Sequence, residues 1–209
     1  GNIGTTMPIN FRNMPLGCTE TILYLMYKEN NIEIPRKIAG LMMSGIISDT
    51  LLLSSPTTTD IDKKALKELS KIAKVDYKEY GMEMFKAGSS IKGKSISEII
   101  RGDFKNFMVD NQKVGIGQVS TMSTDEILSK QKEFINQLNE DASEEDYTAI
   151  ALFVTDILKN GSYIFFNENS KEIFAKSFGI ENLEEGYFFE GLVSRKKQIV
   201  PKIMNYMDN

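Results

Sequence analysis

Tyr187-Phe188-Phe189-Glu190-Gly191-Leu192-Val193 runs straight into Ser194-Arg195-Lys196-Lys197-Gln198, and Pro201 follows shortly after. Five of the first seven residues are apolar or aromatic, as expected of a strand, and proline is a natural first residue of a helix. A strand followed by a basic cluster and then a helix predicts an α/β domain. Cations ahead of a helix N-terminus oppose its dipole unless an anion sits among them. Arginine can fork two phosphate oxygens at once and lysine supplies a point charge, so adjacent Arg195 and Lys196 suit a polyanionic phosphate. The alternative is a solvated charge run.

Reading outward from this stretch, the preceding chain mixes strands and helices. Phe104 to Val109 and Lys113 to Val119, separated by Asp110-Asn111-Gln112, predict a hairpin. Ile150 to Ile157 and Tyr163 to Phe166 predict strands buried on both faces. With Tyr187 to Val193 these make a mixed sheet of about five strands. Helices are expected at Ser95 to Arg101, from a Ser123/Glu126 capping box to about Asn139, at Lys171 to Phe178 and from Pro201. Alternation sets Phe104 and Lys105 on opposite faces, so Lys105 can point into a cleft while the phenylalanines pack inward. The plainer reading of Lys105 is the polar side of a half-buried strand.

Upstream the pattern is helical. Cys18 to Asn30 carries Ile22, Leu25 and Met26 at helical spacing, and Thr59 with Asp62 predicts a capped helix to Lys74. A further helix covers Tyr77 to Ala87. Ile38 to Ile47 is apolar or small on nearly every face, which predicts a helix buried all round and ending at Ser48-Asp49-Thr50. Asp49 therefore sits between an apolar helix and Leu51-Leu52-Leu53. A carboxylate there needs a cation or hydrogen bonds, so it is either a ligand for a hard divalent ion or a turn residue bonded to backbone amides. Gly88-Ser89-Ser90 with Gly93 is the small-residue stretch that divides the chain. Residues 1–87 are expected to be one helical part, 88–94 a hinge linker and 95–209 a second domain. Cys18 reads as a small packing residue, and Asp156 as either a turn residue or a carboxylate that supports a site.

Composition removes whole classes of chemistry. The 209 residues contain no histidine, which excludes Ser-His-Asp and Cys-His nucleophiles and imidazole-based zinc sites. One cysteine excludes an internal disulfide and fits a reducing cytosol. A net charge of −4 gives no general attraction for nucleic acid or anionic membranes, so an anion site must be local. No apolar run is long enough to span a bilayer, and a soluble, cytoplasmic protein is expected.

Taken together, several motifs resemble the manganese-dependent (family II) inorganic pyrophosphatases of the DHH phosphoesterase superfamily. They are Gly-Cys-Thr-Glu-Thr-Ile at 17–22, Ala-Gly-Leu-Met-Met-Ser-Gly-Ile-Ile-Ser-Asp-Thr at 39–50, Ser-Pro-Thr-Thr-Thr at 55–59 and Lys-Ala-Gly at 86–88. Asp-Phe-Lys at 103–105, Gly-Gln-Val at 117–119, Val-Thr-Asp-Ile at 154–157 and Val-Ser-Arg-Lys-Lys-Gln at 193–198 complete the set. The resemblance implies the helical tail of a DHH catalytic domain followed by a DHH-associated substrate-binding domain. It implies that Asp49 is a metal ligand, for manganese or for magnesium in its place, and that Lys105, Arg195 and Lys196 bind pyrophosphate. The implied reaction is attack of a metal-activated hydroxide on pyrophosphate, giving two phosphates. The family's other metal ligands, including its Asp-His-His motif, belong to sequence upstream of the part that Gly1 to Leu16 resembles. This chain is accordingly expected to supply the substrate grip and to be inactive alone, and the complete protein to be a homodimer. A related DHH phosphoesterase acting on polyphosphate or small phosphate esters, and a non-catalytic anion-binding module, are the alternatives.

Overall fold

In the computed structural model, residues 4, 6–88 and 91–208 are described. They belong to two compact units, one comprising Gly1–Leu53 and Thr57–Lys78, the other Ser54–Pro56 and Glu79–Asn209.

The first unit contains α1 (Thr19–Glu29), α2 (Arg36–Asp49) and α3 (Asp60–Ala73). Helix α3 begins with the box that its spacing predicts: Asp62 N donates to Thr59 Oγ1, and Thr59 N donates to Asp62 Oδ2. It stops at Lys74, whose φ of 57° is left-handed. Helix α2 departs from expectation. It buries the stripe Ala39, Met42, Met43, Ile46 and Ile47, but Leu41 is 69% exposed. The buried residues recur at spacings of three and four, so α1 and α3 cover one face rather than the whole circumference.

The division between units falls after Lys78, inside α4 (Tyr77–Gly88). Of the expected hinge, Ser89 and Ser90 lie outside the described residues; Gly88 closes α4 and Ile91 is buried.

The second unit runs α5 (Ile96–Arg101), β1 (Phe104–Val109), β2 (Gln112–Thr121), α6 (Thr124–Leu128), α7 (Gln131–Glu144), β3 (Ala149–Asp156), β4 (Gly161–Phe166), α8 (Lys171–Phe178), β5 (Tyr187–Glu190) and α9 (Val200–Met207). The strands form one sheet in the order β1-β2-β3-β4-β5. Strands β2 and β3 are parallel and joined through α6 and α7; the other pairs are antiparallel. Left-handed Asp110 (φ 46°) and Asn111 (φ 61°) close the β1-β2 hairpin, matching the strand twist.

Strand β3 is buried along its whole length. Ala149, Ala151 and Phe153 face a core with Phe174 of α8 and Ile203 of α9, while Ile150, Leu152 and Val154 face Ile100, Phe134 and Leu138 of α5 and α7. Each face of the sheet thus carries its own helical cover, which explains the continuous apolar runs.

Four local expectations are corrected. Ser123 makes no side-chain cap, and the helix expected to reach Asn139 is two helices, because the chain turns at Ser129-Lys130, where Ser129 Oγ bonds Glu126 O. Strand β5 ends at Glu190 rather than Val193, since Gly191 turns with φ 72° and its N–H goes to Asn160 O. Helical structure starts before Pro201, with a π-helical turn at Arg195–Ile199. The phenylalanines of β1 do not share a face: Phe104 packs with the α5-α7 core and Phe107 with the α8-α9 core, so Lys105 lies on the same side as Phe107.

Candidate functional site

The basic cluster is built into the first turn of a helix, not ahead of it. Ser194 is the N-cap: its hydroxyl accepts from Lys197 N, and its carbonyl accepts from both Gln198 N and Ile199 N. The second of these spans five residues and is the bond of a π-helical turn. Gln198 folds back, its Oε1 accepting from Val193 N and Ser194 N (2.9 Å each) and its Nε2 donating to Gly191 O (2.9 Å). The last residue of Ser-Arg-Lys-Lys-Gln therefore holds the loop that precedes the first.

That loop crosses the sheet on a chain of hydrogen bonds. Ser162 Oγ donates to Leu192 O (2.5 Å), which leaves Thr155 Oγ1 to donate to Ser162 Oγ (2.8 Å) and Gln118 Nε2 to donate to Thr155 Oγ1 (2.8 Å). Gln118 Nε2 also donates to Val193 O (3.0 Å). Side chains from β2, β3 and β4 thus carry the backbone at 192–193 towards β1.

There Arg195 docks. Its Nη1 donates to Asp103 O (2.7 Å) and Ile116 O (3.4 Å), and its Nη2 to Asp103 Oδ1 (2.7 Å). Its side chain is only 12% exposed. Ile116 is the cross-strand partner of Lys105, and Gln118 N bonds Asp103 O, which continues the β1-β2 ladder one step. Asp103 and Lys105 consequently project from one face, two residues apart, with Arg195 seated on the first. Lys105 and Lys196 are exposed and, among the described residues, form no ion pair. The structure thus seats Arg195, in the first turn of a helix whose dipole favours an anion, on the end of β1 two residues from Lys105, with Lys196 next to it in the chain. Asp103 supplies one negative charge there already.

Asp49 belongs to the other unit. It is the exposed last residue of α2. The helix is stopped by Thr50, whose hydroxyl donates to Ile46 O (2.5 Å) and accepts from Leu53 N (3.0 Å), while Leu51, Leu52 and Leu53 all take left-handed φ (47°, 53°, 68°). Such a run costs roughly 1 kcal/mol or more per residue. Cys18 Sγ, a Glu20 carboxylate oxygen and an Asp49 carboxylate oxygen all lie within 4.8 Å of one another. Cys18 donates to Glu20 Oε2 (2.5 Å), and its burial together with that bond pushes the thiol well above its ordinary range. Glu20 lies across Gly45, where a Cβ would meet its Cδ at 2.7 Å.

Residues other than those singled out from sequence complete both regions. Asp103, Gln118 and Gln198 organise the basic end, and strand alternation two residues from Lys105 could have pointed to Asp103. Glu20 reaches Asp49 from a separate helix, which spacing does not reveal. Asp156 is a turn residue: it accepts from Leu158 N, Lys159 N and Thr124 Oγ1.

Comparison with known proteins bears on this geometry. Residues 82–206 match the DHHA2 domain family. A protein of Lactobacillus delbrueckii subsp. bulgaricus, named "Probable manganese-dependent inorganic pyrophosphatase", is 47% identical over 97% of this chain and 66% of its own length. A protein of the same name from Clostridium acetobutylicum is 42% identical over 99% of this chain and 67% of its own length. The chain therefore spans about two thirds of the length of these curated relatives. A structure named "Crystal structure of Methanococcus jannaschii putative family II inorganic pyrophosphatase" superposes with a TM-score of 0.82 at 40% identity, covering 99% of this chain and 70% of that one.

Proposed function

Because this chain belongs to the manganese-dependent (family II) inorganic pyrophosphatases, we propose that it carries the pyrophosphate-binding part of an enzyme that hydrolyses pyrophosphate to two phosphates. The observation that supports this reading is the docking of Arg195 on Asp103 and on the carbonyl of Ile116, the cross-strand partner of Lys105. Arg195 and the two lysines neutralise charge on the phosphate that leaves, the form of help that phosphoryl transfer needs most. The division into a catalytic-domain tail at residues 1–87 and a substrate-binding domain at 95–209 is part of the same proposal.

Asp49 is the residue of this chain that fits a manganese or magnesium ion: it is exposed, ends a helix and offers hard oxygen, with the Glu20 carboxylate close by. When bound, the metal supplies Lewis acidity that converts a bound water to hydroxide near neutral pH. The chain contains no histidine, and its three grouped candidate ligands among the described residues include a buried thiol held by Glu20, which supports the reading that further metal ligands come from outside this chain.

Phosphate release from pyrophosphate with manganese tests this. The chain alone releases none above background; the same chain joined to the upstream third of a relative turns over. A joined protein that folds and binds manganese yet leaves pyrophosphate intact contradicts the proposal.

A further inference from the structure

We propose that Asp103 is a positioning residue for pyrophosphate binding: it clamps one edge of the Arg195 guanidinium through its carbonyl and carboxylate together, so that the other edge is presented to the anion. This rests on the reading of Arg195 as a pyrophosphate ligand.

A guanidinium offers five N–H donors in a planar fork. Three hydrogen bonds engage Nη1 and Nη2: Asp103 O at 2.7 Å, Ile116 O at 3.4 Å and Asp103 Oδ1 at 2.7 Å. Among the described residues Nε carries none, and one Nη2 proton is left over, so the unengaged donors share the Nε-Nη2 edge. That edge presents two parallel N–H groups at a spacing that can fork two phosphate oxygens. The clamp is rigid where it matters. Asp103 O also accepts from Gln118 N, and Gln118 in turn holds Val193 O two residues before Arg195. The arginine side chain is 12% exposed while the Asp103 side chain is 62% exposed, so the carboxylate is a trimmable end and not part of a core. Asp103 has no other side-chain partner among the described residues that would account for its place.

The proposal makes a prediction opposite in sign to simple electrostatics. A carboxylate next to an anion site repels the anion, so deleting it should strengthen binding if charge alone counts. If ordering the guanidinium counts, deleting it weakens binding, and an amide that keeps the acceptor oxygen restores it.

The test titrates sodium pyrophosphate into the chain, as wild type, Asp103→Ala and Asp103→Asn, by calorimetry. Side-chain nitrogen spectra of Arg195 are recorded on the same samples before ligand is added. Only Arg12, Arg36, Arg101 and Arg195 contribute, so the signal is assignable from Arg195→Lys. Asp103→Ala is expected to weaken binding by about tenfold, the size of a lost hydrogen bond to a charged group, and to release Arg195 into fast side-chain exchange. Asp103→Asn stays within about threefold of wild type. Unchanged or tighter binding by Asp103→Ala overturns the role of Asp103 while leaving the pyrophosphate site standing. A wild-type chain that keeps an ordered Arg195 signal yet binds no pyrophosphate at millimolar concentration overturns the underlying reading, and this inference with it.

Discussion

The side-chain amide of Gln118 lies 3.0 Å from the carbonyl of Val193, tying the second strand of the sheet to the backbone that launches the basic turn. Gln118→Leu removes that bond and the one to Thr155 in a single step. We expect a loss of roughly 1–3 kcal/mol in urea denaturation, with pyrophosphate affinity falling as well because the loop carrying Arg195 loses its tether. Loss of stability with affinity intact would place the tether outside the binding function.

Asp62 collects four hydrogen bonds in a buried position, from Gly17 N, Thr21 Oγ1, Thr59 N and Thr59 Oγ1. Burial alone would raise its carboxyl, but Thr21, Thr59 and Gly17 together hold it below the usual range. Since its folded value is depressed, its stabilisation is present above the ordinary carboxylate value and disappears as pH falls through the folded one. Asp62→Ala should cost about 2–4 kcal/mol at neutral pH, and thermal melts should show that the gap to wild type narrows in acid. A gap independent of pH would contradict the assignment.

Glu185 behaves in the opposite sense. Its burial pushes the carboxyl up to about 8, eased by the Phe166 N–H at 3.0 Å and raised further by Glu184. A raised folded value means that stability is complete below the ordinary value of 4.5 and is lost as pH rises through about 8. Glu185→Gln keeps an acceptor for Phe166 without the charge. It should be more stable than wild type at pH 9, by roughly 1–2 kcal/mol after solvent screening is allowed for, and equal to it at about pH 4. Parallel stability curves for the two proteins would refute this.

Two glycines should respond oppositely to alanine. A Cβ on Gly117 would meet the Ile100 carbonyl oxygen at 2.6 Å, a backbone atom that cannot step aside. A Cβ on Gly40 in α2 would meet nothing within 4 Å beyond the helix's own backbone. Gly117→Ala should destabilise by about 1–3 kcal/mol, while Gly40→Ala should stabilise by about 0.5–1 kcal/mol as a helix-interior replacement. Chemical denaturation of both variants checks the pair.

Much of this architecture could be read in advance because its determinants are local. The Thr59-Asp62 and Ser95-Glu98 boxes, the Asp110-Asn111 turn and the unbroken apolar run of β3 each act within a few residues. Expectation failed where a local signal competed with a tertiary one. Ser123 and Glu126 have the spacing of a box, yet Ser123 N turns to Thr121 Oγ1 and the helix starts without the cap. Pro201 marks a helix start in isolation, but Ser194 and Gln198 organise the chain one turn earlier. In the candidate site the cations were legible as residue types at a strand-to-helix junction. The face of Asp103 follows from its spacing to Lys105, but its pairing with Arg195 and the approach of Glu20 to Asp49 depend on contacts between elements far apart in sequence, which no spacing rule encodes.

The central claim is that Lys105, Arg195 and Lys196 act together as a grip for pyrophosphate. Calorimetric titration of pyrophosphate into the wild-type chain and into Arg195→Ala tests it most directly. The account predicts measurable binding by wild type, weakened at least about tenfold in the variant and steeply reduced by added salt. Binding that is equally strong without the Arg195 guanidinium would contradict it.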